Sequence, residues 1–239
     1  MPLGGRHVNH FWRLLNDLDI PHVTLLDLDR EREGGGWGRI HYVLSQLMKL
    51  GIKREDLLSR TNGALSEDDF QQMAQWNVAD LQLLQAWIDF LENYNVFFSS
   101  PLDIDYLMLE NYGEIYKDLL SEREGPRLTV ATGDETTTYL VRALEKADIP
   151  AAEYISRVER DVKATLKEHG GDGSTYSEGQ KKLMVWYNYF FLNRGKPSTH
   201  MSALSAMSSE ILMANIPPVF ERLIKSAERL QAGEVNEKH

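Results

Sequence analysis

The spacing of apolar residues predicts a chain of helices interrupted by three short strands. Phe11, Trp12, Leu14, Leu15 and Leu18 stripe an amphipathic helix that Asn9 can cap and that ends near Asp19. Pro21 hands over to Val23–Leu26, a short aliphatic run that reads as a buried strand ending at Asp27. Helical spacing returns from Trp37 to Leu50 (Ile40, Val43, Leu44, Leu47), with Gly51 as the stop. Ser66 caps a long helix that Trp76, Leu83, Leu84, Trp87, Ile88 and Leu91 carry to Tyr94. Asn95–Ser100 is a second strand, followed by a helix built on Tyr106, Leu107, Leu109, Tyr112, Ile115, Tyr116 and Leu119. Pro126–Thr132 is a third strand candidate, Gly133-Asp134-Glu135 opens a helix to about Ala147, and no strand is expected beyond Pro150. The remaining helices are Ala151–His169, an aromatic-rich segment from Ser177 to Asn193, Met201–Met213, and one from Pro217-Pro218 to Gln231, before a polar, mobile tail.

Strands alternating with helices predict an α/β fold, and such sheets bind ligands at the carboxyl ends of their strands. At that position the first strand delivers Asp27 and Asp29. Residues two apart on a strand share a face, so these carboxylates are expected side by side, with Glu31 and Glu33 close behind as reserve ligands. Hard carboxylates in this number suit Mg²⁺ or Mn²⁺, one ion or two. Gly34, Gly35, Gly36 and Gly38 then lead into a helix, where backbone N–H groups can approach a phosphate and Arg39 can touch it. The alternative is a solvated acidic turn whose glycines only break the strand. The second strand is followed by the same design, Asp103 and Asp105, which either complete a metal shell or cap the next helix. The segment Arg194–His200 carries two cations, two hydroxyls and a histidine. Lys196 can stabilise a phosphoryl transition state, Arg194 and Ser198 can contact phosphate, and Ser198 can equally cap the following helix.

Composition narrows the chemistry. A formal charge of −10 argues against general polyanion binding, although metal ions neutralise the carboxylates of acidic nucleases locally. The absence of cysteine removes thiolate metal sites and cysteine nucleophiles. The histidines show no zinc-ligand spacing, and no G-x-x-x-x-G-K-[ST] motif supports ATP hydrolysis. Without a signal-like or membrane-spanning run, a cytoplasmic protein is expected.

Taken together and in order, FWRLLNDLDIPHV, LLDLDREREGGGWGRI, NVFFSSPLDIDYLMLE and FLNRGKPSTHMSAL resemble the C-terminal part of the OLD (overcoming lysogenization defect) nucleases, class 2-like. The resemblance implies a Toprim domain, a small, mostly parallel sheet flanked by helices, with a substantial additional α-helical region. In these terms residues 1–64 and 95–147 are the α/β core, 65–94 a helical insertion, 148–232 a C-terminal helical region and 233–239 a tail. The resemblance places the metal-binding D-x-D on Asp27 and Asp29, a later acidic motif on Asp103 and Asp105, and a lysine implicated in catalysis on Lys196. It implies cleavage or nicking of DNA with Mg²⁺ or Mn²⁺, an ABC-type ATPase upstream as partner, and room for a homo-oligomer. The first Toprim strand and its acidic motif are missing ahead of MPLGG, so weak or no activity is expected of this chain alone. Two rivals remain: a D-x-D phosphatase or phosphotransferase with Asp27 as nucleophile, disfavoured by Arg30 after the second aspartate, and a non-catalytic helical assembly module.

Overall fold

The computed structural model describes residues 8–60, 63–132, 135–146, 152–192 and 196–233. Over these residues it is a mixed α/β protein with three two-stranded sheets and a large helical part. The chain divides into two compact units, residues 1–103 with 218–239, and residues 104–217. Among the described residues no helix is long and apolar enough to cross a membrane.

The first unit begins with α1 (Val8–Asp17), whose Trp12 is buried and donates its indole N–H to the Thr24 hydroxyl at 2.9 Å. That bond anchors the helix to the start of β1 (Thr24–Asp27). α2 (Trp37–Lys49) buries Trp37, Ile40, Val43, Leu44 and Leu47, the residues its helical spacing singles out. α3 (Arg54–Leu58) and the short antiparallel pair β2 (Ser59–Arg60) and β3 (Gly63–Ala64) follow. The single helix expected from Ser66 to Tyr94 is broken. α4 (Glu67–Gln72) and α5 (Leu81–Leu91) are separate helices. The break falls where polar side chains compete for the backbone: the Asn77 side chain accepts from Ala79 N–H at 2.9 Å, and Asp80 caps α5 by accepting from Leu83 N–H at 3.0 Å. Trp37 closes over this turn, donating to the Asn77 carbonyl at 3.1 Å and packing edge-on to Trp76.

β4 (Val96–Ser99), buried at every position, pairs in parallel with β1, Thr24 opposite Val96 and Asp27 opposite Ser99. The two predicted strands are therefore neighbours with their carboxyl ends level. Val96 and Phe98 join Leu28, Leu44, Leu84, Trp87 and Ile88 in one core.

The second unit starts with α6 (Ile104–Asp118), so Asp105 lies in a first helical turn. The third predicted strand exists as β5 (Arg127–Thr132), but it forms its own antiparallel sheet with β6 (Glu135–Leu140). This corrects the helix expected over 133–147. Thr136, Thr137, Thr138 and Tyr139 are β-formers, and only α7 (Val141–Lys146) is helical there; Gly133, Asp134 and Ala147 lie outside the described residues. α8 (Ala152–Leu166) packs against α9 (Glu178–Tyr187), which opens on a Ser177–Gln180 capping box and runs into a π-helical turn, Asn188–Leu192. Its aromatics are core, as their density predicts: Trp186, Tyr187, Phe190 and Phe191 are all buried. α10 (Lys196–Ala206) begins five residues before the helix expected from Met201, and α11 (Ser209–Ala214) is separate because Ser208 caps it, accepting from Ile211 N–H at 3.3 Å.

α12 (Pro218–Gln231) belongs to the first unit, tied there by Arg222 to Glu92 at 2.9 Å and by Ser226 Oγ donating to Asn95 Oδ1 at 2.7 Å. The predicted tail, 234–239, lies outside the described residues.

Candidate functional site: an acidic strand edge and a buried carboxylate

The carboxyl edge of the β1–β4 pair is the first unit's concentration of charge. The strand ends at Asp27, which is exposed and accepts the Ser99 hydroxyl at 3.1 Å. Leu28 turns into the core at 1% exposure. Asp29 does not stand beside Asp27 on the strand, as period-two spacing predicts. It has left the strand with φ 53°, in the left-handed region, and is buried. Its N–H donates to Leu102 O at 2.7 Å and that of Arg30 to Pro101 O at 3.0 Å, so the segments leaving β1 and β4 are stitched together by backbone bonds. Glu31 repeats the left-handed conformation at φ 63°. Two such non-glycine residues within three positions are a local cost of the kind concentrated at functional sites.

Burial forces Asp29 to find counter-charges. Arg32 reaches Asp29 Oδ1 at 2.7 Å and Asp103 Oδ2 at 2.9 Å through one guanidinium nitrogen, and Arg39 takes Asp29 Oδ2 at 2.7 Å. The two D-x-D segments thus converge, Asp29 with Asp103, on an arginine. Gly35 is required by this arrangement, since a Cβ there would stand 1.9 Å from the Asp29 carbonyl oxygen. The glycine N–H groups expected to cradle a phosphate are used internally: Gly35 donates to Arg32 O at 2.9 Å and Gly36 to Leu28 O at 2.8 Å. Arg39, expected on a phosphate, is on Asp29. Of the two reserve ligands, Glu31 is buried and Glu33 is exposed.

The second unit holds a separate cluster around Asp105, which is 6% exposed. Lys196 Nζ donates to Asp105 Oδ2, and His200 Nε2 lies 2.9 Å from Oδ1. Tyr116 Oη lies 2.7 Å from His200 Nδ1, and Phe191 stacks on the imidazole at 4.8 Å. Burial alone would raise the Asp105 pKa. The hydrogen bonds from His200 and Lys196 and their positive charges outweigh it and hold the carboxyl below its usual range. Burial pushes the Tyr116 phenol up, and the charge of Asp105 adds to this. Ser198 lies inside the first turn of α10 and is not the cap of a helix beginning at Met201; Arg194 lies outside the described residues.

Three side chains of these clusters escape a reading of the sequence. Arg32 sits three residues after Asp29 in a run dominated by acids, and that spacing is its one signal. His200 follows Lys196 by four, which places both on one helical face only once the helix is known to start at Lys196. Tyr116 reads as one more member of an apolar stripe.

Among the described residues no group of three or more His, Asp or Glu is set to hold a metal ion. The donor chemistry of the strand edge nevertheless fits a hard cation: Asp29 and Asp103 already converge on one positive charge, and Asp27 ends the same strand. A metal held by Asp29 and Asp103 together would take the place of the Arg32 guanidinium. No family model matches the chain, and neither a curated protein nor a solved structure matches it, so the chemistry of the site is read from its own geometry.

Proposed function

We propose that the chain is a nuclease module that hydrolyses phosphodiester bonds in DNA with a divalent metal, in the manner of the Toprim region of OLD-type nucleases. The observation that carries this reading is the parallel β1–β4 pair with Asp27 level with Ser99, from which both D-x-D segments leave the same edge and bring Asp29 and Asp103 to one point. Neighbouring acidic strand ends are what a phosphate-directed metal site requires.

In this reading Asp27 and Asp29 would hold the metal, with Asp103 completing the oxygen set. Bound there, Mg²⁺ or Mn²⁺ would supply Lewis-acid polarisation of the phosphoryl group and acidify the attacking water. Asp27 is the carboxylate a substrate can reach, and the Ser99 hydroxyl orients it. Arg39 holds Asp29 in its left-handed turn, and Arg32 neutralises Asp29 and Asp103 where the metal would otherwise stand.

The test is Mn²⁺ binding by calorimetry on the chain and on its Asp27→Ala, Asp29→Ala double variant, with a plasmid-nicking assay on both. Binding that disappears in the variant is expected, with any nicking weak and confined to the parent. Binding that is equal in both proteins, or nicking that persists in the variant, overturns the reading.

A further inference from the structure

The β5–β6 hairpin of the second unit has one closed edge and one open edge. Val141 N–H donates to Pro126 O at 2.9 Å, and the next pair inward is Arg127 with Leu140. Antiparallel ladders alternate hydrogen-bonded and non-hydrogen-bonded pairs, so Thr136, Thr138 and Leu140 occupy the non-bonded positions and aim their backbone N–H and C=O groups away from β5. Among the described residues no strand pairs with these groups, and Glu135 to Tyr139 are all exposed. Open edges are ordinarily protected by lysine, proline or a bulge. β6, with the sequence ETTTYL, has neither residue, its register with β5 runs one to one, and its three threonines favour an extended backbone. The opposite edge is covered. α8 packs against β5, and Arg157 of that helix donates to the Arg127 carbonyl, which points outward on that side. The sheet can therefore grow past β6 and not past β5.

We propose that this edge docks the β6 strand of a second copy of the chain, antiparallel about a two-fold axis at Thr138, to make a four-stranded sheet. The register is self-complementary. Thr138 faces the second copy's Thr138, and Thr136 and Leu140 of each copy face Leu140 and Thr136 of the other. Every outward N–H and C=O of these residues then has a partner, about six inter-strand hydrogen bonds in all. The charge pattern favours a copy of this chain on this edge in particular. Two molecules of formal charge −10 repel, yet Glu135, the one charged residue of β6, falls opposite Val141 of the second copy and not opposite its Glu135. Because the β5 edge is closed, addition stops at two copies instead of running on as a fibre. The edge is short against the roughly 1,000 Å² of a stable interface, so the dimer is a weak, reversible one. It is independent of the cleavage reading.

Sedimentation equilibrium of the full chain from about 1 μM to about 1 mM is expected to show a monomer passing reversibly into a dimer. Over the same range the amides of Thr136, Thr138 and Leu140 gain protection from hydrogen exchange. Thr138→Pro deletes a donor that the hairpin itself does not use, removes two hydrogen bonds from the dimer and weakens it about thirtyfold. The Thr138 side chain is exposed, so charged variants there keep the fold. Thr138→Lys and Thr138→Glu each set like charges face to face and stay monomeric alone, and an equimolar mixture of the two dimerises. A monomer throughout the range overturns the proposal, as does a lysine and glutamate mixture that fails to associate. A dimer unchanged by Thr138→Pro and Thr138→Lys uses another surface, such as the exposed Met201, Leu204, Ile211 and Met213 of α10 and α11, and overturns it too. Protection of the edge amides by an added threonine-valine peptide in a chain that stays monomeric would assign the edge to a foreign strand and reject the second copy.

Discussion

Removing the Arg32 side chain tests the acidic edge most directly, because the arginine sits between two carboxylates that burial would otherwise leave facing each other. Its side chain is 10% exposed and those of Asp29 and Asp103 are 13% and 7%, so water screens little of the interaction. In Arg32→Ala, two attractive contacts at 2.7 and 2.9 Å are replaced by a like-charge pair. At an effective dielectric of about 20, unit charges about 4 Å apart repel by about 4 kcal/mol. Breaking a buried ion pair from one side typically costs about 3–5 kcal/mol. Arg39 remains on Asp29 Oδ2 and offsets part of this, which brings the expected loss to about 2–4 kcal/mol. Urea unfolding followed by tryptophan fluorescence measures it, since Trp12, Trp37, Trp76 and Trp87 all belong to that unit and only Trp186 does not. Adding Asp103→Asn to Arg32→Ala removes one of the repelling charges and is expected to restore more than half of the loss. Mn²⁺ is expected to raise the midpoint of Arg32→Ala more than that of the parent, because the ion can replace the missing charge. A loss below about 1 kcal/mol, or no recovery in the double variant, would refute the claim that Arg32 is the counter-ion of this edge.

Gly35→Ala places a methyl group against the Asp29 carbonyl, where an unrelaxed Cβ would be 1.9 Å away. The turn must shift, and a loss of at least about 1–3 kcal/mol is expected in the same urea titration. Asp80→Ala removes the cap of α5 and is expected to cost about 1 kcal/mol, whereas Asp80→Asn, which can still accept from Leu83 N–H, costs a few tenths. Alkaline stability tests the second unit. Burial, then the charge of Glu145, raises the Tyr154 phenol above its ordinary value of about 10. A raised folded pKa means the contribution is complete below about pH 10 and is lost as pH climbs through the folded value. Tyr154→Phe should therefore flatten the alkaline limb of the stability curve, and an unchanged limb in a folded variant would refute the assignment.

The elements that local pattern controls were legible in the sequence. α1, β1, α2, β4 and α12 lie within a residue or two of where apolar period and stop signals put them. The misreadings share a cause. Apolar spacing carries one helix through Asn77 and Asp80 although both residues compete for backbone N–H groups, and the Gly133-Asp134-Glu135 opening carries another over Thr136–Tyr139 although threonine and tyrosine favour a strand. In each case the chemistry of the residues within the segment outweighs the signal read around them.

The meeting of acidic residues at the strand edge is legible in the sequence and their arrangement is not, and Asp29 shows why. A period-two rule assumes that the strand continues, but β1 loses its partner after Asp27 and Ser99, and Leu28 is drawn into the core. Once Leu28 is buried the chain has to turn, and aspartate tolerates the left-handed conformation that makes the turn. The turn buries the Asp29 carboxylate, and a buried carboxylate needs cations, so Arg32 and Arg39 follow from the position of Leu28. The same logic governs Asp105. Placed in the first turn of α6 and buried, it draws Lys196 and His200 from a helix more than ninety residues away in sequence. No local spacing encodes that distance. Of the four aspartates that look equivalent in two D-x-D motifs, burial assigns Asp29 and Asp103 to arginines and Asp105 to a lysine and a histidine, and leaves Asp27 facing solvent at the strand end. Asp27→Asn is accordingly expected to remove metal binding with the least cost in stability of the four, a comparison that calorimetry and urea unfolding make together.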